Sequence, residues 1–353
     1  MPDWTSSMKQ TFEYCVVDPG TWKDSKKIEN IRSSSITRDS EADTLGSASI
    51  EGEKSLGECY VRIYLITIQN GIQEKHPLGT FLVQTPTTKY DGGVTNVSMD
   101  AYTPLLELKE NQPPIGYYVA KGENIMQTVG MLVRDHVRAP VSETVDEETL
   151  ASDFVANSDD TWLSFLKDLS SNAKYSLDLD EMSRIIFSPV QELESLQPVW
   201  TYNDDNSSIL YSDVTVDHDL YGVPNVVEVM YSDTFDCYYC RVVNDDPNSP
   251  VSTVNRGREI VYRDTNPSVI GYATNSQIKE YAENLLKSLS SVEYTISYQH
   301  GYCPVRVGDC VRLDYSKAGI NNIKAKVISQ TIKCEPGCPV SEKAVFTVKL
   351  WEG

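Results

Sequence analysis

The chain has 353 residues, which at ~100–200 residues per domain is enough for two or three domains with cores of their own. Hydrophobic residues make up 40% and charged residues 23%, a globular composition and not a disordered one. The net charge is −20 and it is concentrated: residues 141–240 hold 21 acids against three bases (Lys167, Lys174, Arg184), a surface that repels nucleic acid. The strongest apolar run, Tyr60 to Ile68, is strand length and carries Arg62, so no membrane span is expected. The N-terminus, MPDWTSSMKQTFEYC, lacks a basic region followed by an apolar one, so no secretion signal is expected either.

The first ~110 residues read as β. Short strands are expected from Ile36 to Asp39 and from Ala48 to Ile50. A longer one runs from Tyr60 to Ile68 and closes on the turn dipeptide Asn70-Gly71. Leu78 to Val83 follows, then a loop at Asp91-Gly92-Gly93 and a strand from Val94 to Met99. Strands at this spacing argue for an antiparallel sandwich or barrel. Abundant tyrosine, 21 residues against seven Phe, agrees with half-wet strand faces.

Residues 112–199 change character after Pro113-Pro114. Ile125, Met126, Val129, Leu132 and Val133 fall on one helix face. A second helix is expected to start at the N-caps Asp159-Asp160, with the stripe Trp162, Leu163, Leu166 and Leu169. Tyr175–Leu177 and Arg184–Phe187 read as a small hairpin, completing an α+β insert.

From Trp200 the chain returns to β. Asn203 to Ser208 reads as a turn-rich link and Val226 to Tyr231 as a strand. One helix interrupts at about residues 275–289, announced by Thr274-x-x-Gln277 as a capping box and striped by Ile278, Ala282, Leu285, Leu286 and Leu289. The last strand alternates, with Ala344, Phe346, Val348 and Leu350 on one face. The expected domains are therefore a first β-barrel at 1–111, an α+β insert at 112–199 and a second β-barrel at 200–353.

Catalytic motifs are missing. His76, His136, His218 and His300 have no local partner pattern, and no nucleophile elbow, phosphate loop or dinucleotide fingerprint occurs. Eight cysteines stand at 15, 59, 237, 240, 303, 310, 334 and 338. Cys237-x-x-Cys240 and Cys334-x3-Cys338 have the spacing of zinc knuckles. However, Cys237 to Arg241 reads as a strand, which puts its two thiols on opposite faces, so no metal is expected. Asp178-Leu-Asp180-Glu181 and Asp217-His-Asp219 do not match a calcium loop. No catalytic, cofactor or metal residues are assigned.

Several segments, in order, resemble the central hub proteins of phage and phage-like tail baseplates, a family shared with the N-terminal part of VgrG spikes. They are Leu78–Val83, Val97 to Leu106 with its Asp100 and paired Leu, Tyr118 to Gly122, Asp160 to Leu166, Lys174 to Asp178, the helix from Gln277 to Leu289, and Pro304-Val-Arg-Val-Gly-Asp309 before Cys310. The family's Asp-x-x-Gly turn reads Asp180-Glu181-Met182-Ser183 here, a departure at one turn. The resemblance implies two tail-tube-like barrels flanking the insert. It also implies a non-enzymatic homotrimer forming a pseudo-sixfold ring around the ejection channel. That ring joins a tail tube protein to a central spike and contacts other baseplate or tape-measure components. The chain would be made in the bacterial cytoplasm and located in the virion tail or a phage-like particle. No appended peptidase, lysozyme or spike domain is expected. The alternatives are a tail-associated cell-wall hydrolase and a glycan-binding tail module, although the five Trp are scattered.

The trimer has a second expected basis. Tyr60–Ile68 carries apolar residues on both faces, so one face is expected to meet another domain or another chain.

Overall fold

The computed structural model describes residues 2–205, 208–232, 237–268 and 274–353; positions 206 and 207 of the expected link at Asn203–Ser208 lie outside them. The fold is mainly β with an α+β insert. It divides into two compact units, Met1–Val214 with Tyr298–Ala344, and Thr215–Ser297 with Val345–Gly353.

The first unit opens with two strands that have no clear apolar pattern, β1 (Lys9–Asp18) and β2 (Lys23–Ile28). β3 (Ile31–Asp39) and β4 (Gly46–Gly52) extend the short runs expected there. β5 (Tyr60–Gln69) turns into β6 (Ile72–Asp91) through Asn70 and Gly71, whose φ values of 52° and 78° suit a two-residue hairpin link. β7 (Val94–Tyr102) returns along β6. The strands lie in the order β2-β1-β5-β6-β7-β4-β3.

Both faces of β5 are covered within the chain. Val61, Ile63 and Leu65 join Ile36, Ile50, Met99 and Ile332 in one core. On the other face Tyr60 packs edge-on against Trp22 and joins the insert's core, while Tyr64 and Ile66 pack with Cys15. Arg62, 1% exposed, is held by Asp24, Thr80 and the Trp22 carbonyl. Of the two expected coverings, another domain or another chain, the structure shows the first: the insert and the N-terminal strands cover the second face.

The insert carries α1 (Leu106–Lys109), β8 (Tyr118–Val119), α2 (Ile125–His136), β9 (Phe154–Val155), α3 (Trp162–Ser171) and the hairpin β10 (Tyr175–Leu179)–β11 (Ile185–Pro189). Every residue of the two expected helix stripes is buried. The cap of α3 differs from expectation. Thr161, not Asp159 or Asp160, is the N-cap, in a reciprocal box with Ser164. Asp160 instead accepts from the Asn157 amide and the Ser164 hydroxyl.

After the insert come β12 (Trp200–Asn203) and β13 (Leu210–His218), then the second unit's small sheet. That sheet comprises β14 (Val226–Ser232), β15 (Cys237–Val243) and, beyond the one-turn α4 (Thr253–Arg256), β16 (Val261–Asp264). α5 (Asn275–Leu289) buries Ile278, Ala282 and Leu286 against Val227 and Val229. Thr274 caps it by accepting from the Gln277 amide at 3.3 Å. The Gln277 carboxamide oxygen accepts from the Thr274 hydroxyl, so the full reciprocal box is not formed. The chain closes with β17 (Ser291–Gly301), β18 (Cys310–Tyr315), β19 (Ile320–Lys333) and β20 (Pro339–Lys349). In the first unit β19 pairs antiparallel with β3, Ser329–Lys333 against Asp39–Ser35.

Candidate functional site

Two features of the first unit gather polar side chains: a docked hairpin turn beside a cleft, and a fully buried network. The turn is residues 180–184, where the sequence departs from the Asp-x-x-Gly pattern. Asp180 organises it by accepting from the Met182 and Arg184 amides at 2.9 and 2.8 Å and from the Arg184 guanidinium. Ser183 takes the left-handed conformation that glycine favours (φ 55°) and is buried. Its hydroxyl accepts from the buried Thr80 amide at 2.7 Å. The Met182 carbonyl accepts from the Thr80 hydroxyl and the Trp22 indole N–H. The serine hydroxyl thus makes a bond that a glycine at this position could not make.

On its other side the turn receives Arg306, which donates to Glu181 at 3.1 Å and to the Leu179 carbonyl. Asp309 shapes the loop that presents Arg306 by accepting from its amide at 2.8 Å. Burial pushes the Asp309 carboxyl above its ordinary value, against the lowering effect of that hydrogen bond. Between these elements lies a cleft of about 770 Å³ lined by Arg38, Lys167, Asp178, Asp309 and Lys326 among others. Lys167 donates to the Asp43 carbonyl at 2.8 Å.

The buried network joins β12, β17, β19 and β20. Glu342 is 2% exposed and accepts from Tyr298, from Gln330 at 2.6 Å and from His300 at 3.3 Å. His300 also faces the Tyr202 hydroxyl at 3.1 Å and donates from Nδ1 to the Gly301 carbonyl at 2.7 Å. Cys303 lies 3.2 Å from the Tyr202 hydroxyl and 3.9 Å from His300 Nδ1. Gln330 extends the chain to Arg38 at the cleft. Burial alone would lower the His300 pKa. Hydrogen bonds to Cys303 and Glu342, with the Glu342 charge, outweigh it and raise the value to about 10.

Thiol, imidazole and carboxylate in this order resemble a nucleophile, a base and its orienting group. All three are buried and none lines the cleft. The His300–Glu342 pair joins β17 to β20, and its hydrogen bonds to Tyr202 and Gln330 extend the network to β12 and β19.

The remaining residues singled out in the sequence are dispersed. Cys237 is exposed at the start of β15, while Cys240 faces the core under α5. Cys334 and Cys338 are buried in the first unit's core, where burial pushes the Cys334 thiol up to about 11. All eight cysteines are free. Asp219 accepts from the Tyr221 amide, and Asp178 from the Leu179 amide. Among the described residues no group of His, Cys, Asp and Glu could hold a metal ion. His136 stacks on Trp162 and His218 on Tyr294, while His76 meets Trp4 edge-on. No described helix is long and apolar enough to cross a membrane.

No family model matches the chain, and no curated protein does. Solved structures do. The tail protein from Neisseria meningitidis MC58 superposes at TM-score 0.61 with 11% identity, covering 96% of this chain and 97% of that one. The 43 kDa tail protein of prophage MuSo2 from Shewanella oneidensis gives TM-score 0.59 and 11% identity over 98% and 99%. The chain has a phage-tail-protein fold. A chain of the Francisella PdpA–VgrG complex is also similar, at TM-score 0.55 and 8% identity, covering 96% of this chain and 58% of that one.

Proposed function

We propose that this protein is a structural, non-enzymatic hub of a tail baseplate, in a phage or a phage-like particle. The observation that carries the reading is the end-to-end similarity to two tail proteins, which leaves almost nothing over in either chain. The similarity to a VgrG-containing complex supports a place at the spike end of the tail. In this reading residues 1–111 and 200–353 are the two tube-like barrels and residues 112–199 the insert between them. Three copies, about 119 kDa from chains of 39.6 kDa, form a pseudo-sixfold ring joining tail tube to spike around the ejection channel. The acidic stretch suits an exposed position, since no described carboxylate of residues 141–240 is buried.

Negative-stain images of the purified protein, with light scattering across a concentration series, test the reading. Rings with a central hole and a trimer mass are expected. Clearing of peptidoglycan in a zymogram, without rings, would overturn it in favour of a hydrolase.

A further inference from the structure

The cleft beside the docked turn lies wholly within the first unit, and its charges are only partly matched. Arg306 is answered by Glu181, and Asp180 by Arg184. Three further cations line the cleft without a carboxylate partner among the described residues: Arg38, Lys167 and Lys326. The Arg38 guanidinium donates to neutral oxygens, the Gln330 carboxamide at 3.3 Å and the Leu78 carbonyl at 2.8 Å. Lys167 reaches the Asp43 carbonyl, while the Asp43 carboxylate is taken by Lys109 at 2.7 Å. The Lys326 ammonium makes no hydrogen bond or ion pair among the described residues. All three residues are half-buried, and burial pushes the pKa of both Arg38 and Lys167 down. Water is withdrawn from these charges with no anion to replace it. Composition does not force this, since the chain has 51 acids against 31 bases.

Strand register places two of the three on one face. Arg38 on β3 stands opposite Gln330 on β19, and Lys326 lies four residues back along β19 on that same face. Leu45, Leu78, Phe81 and Leu177 supply apolar wall. Asp178 and Asp309 line the cleft too, close enough for the Asp178 charge to act on Asp309. That acidic pair disfavours a second anionic group. The volume, about 770 Å³, falls in the ~300–1,000 Å³ range of small-molecule sites. We infer that the cleft binds a small organic anion, with one carboxylate or phosphate head on Arg38 and Lys326 and an uncharged body along the apolar wall. The assignment is independent of the ring, because every residue it uses belongs to the first unit of one chain.

Isothermal titration calorimetry of the full chain with octanoate, octyl phosphate and octanol tests this. At least one of the two anions should bind at one site per chain, more weakly as salt rises. It should bind about 10-fold or more tightly than octanol, which shares its body but carries no charge. The anion that binds better identifies the head. Lys326→Met should remove most of the preference while leaving octanol binding and the melting temperature unchanged, since the Lys326 ammonium holds nothing in the fold. Lys326→Arg should keep it. Octanol bound as tightly as the anions would make the cleft an apolar cavity and overturn the assignment. Anion binding untouched by Lys326→Met would overturn it as well, and so would no binding of either anion at about 1 mM.

Discussion

Glu342 is the one acid among the described residues that is fully buried, and its partners decide what it does. A buried carboxylate next to a protonated imidazole is stable only as a pair, because removing one partner leaves an uncompensated charge. Glu342→Ala should therefore cost about 3–5 kcal/mol at neutral pH. The His300 pKa, about 10 folded against 6.5 ordinarily, fixes the sign of the pH dependence. A raised pKa contributes stability that is full below about 6.5 and fades as pH climbs through about 10. The penalty of Glu342→Ala should accordingly shrink between pH 7 and 10, read from urea unfolding at both. An equal penalty at both would mean that neutral hydrogen bonds, not the ion pair, carry the network.

At the scale of elements, the docked turn shows how local chemistry positions a whole hairpin. Ser183→Ala keeps the backbone but strips the acceptor from the buried Thr80 amide, and an unsatisfied buried N–H costs about 1–3 kcal/mol. The expected result is that loss in chemical denaturation, with faster exchange at the Thr80 amide; unchanged exchange would show that another acceptor takes over. The elements that announced themselves in the sequence are those whose signal is local. The stripes of α2, α3 and α5 repeat every three to four residues, and Asn70-Gly71 is a turn by its own conformational preferences. β1 gave no such signal, because its alternation mixes Gln10, Phe12, Glu13 and Tyr14 and it lies between β5 and a lysine-rich edge. The network was hidden by sequence distance, since Tyr202, His300 and Glu342 are brought together only by strand pairing. One trace of it was readable. Glu342 occupies the same alternating face of β20 as Ala344 and Phe346, a charge in an apolar register.

At the scale of the molecule, the two compact units should not open together. The first unit's cores draw on long strands and three insert helices, whereas the clusters described in the second unit are small, one of them the packing of α5 on β14 and β15. Stability within a protein follows such differences in buried apolar contact. Leu286, fully buried on α5, is the test position, since truncating a buried leucine costs about 2–5 kcal/mol where the site cannot collapse. With Leu286→Ala, amide exchange should quicken across residues 215–297 while the amides of β5 keep their wild-type protection. That outcome makes the second unit a separate cooperative element on a stable first unit. Equal acceleration in β5 would show instead that the chain unfolds as one body.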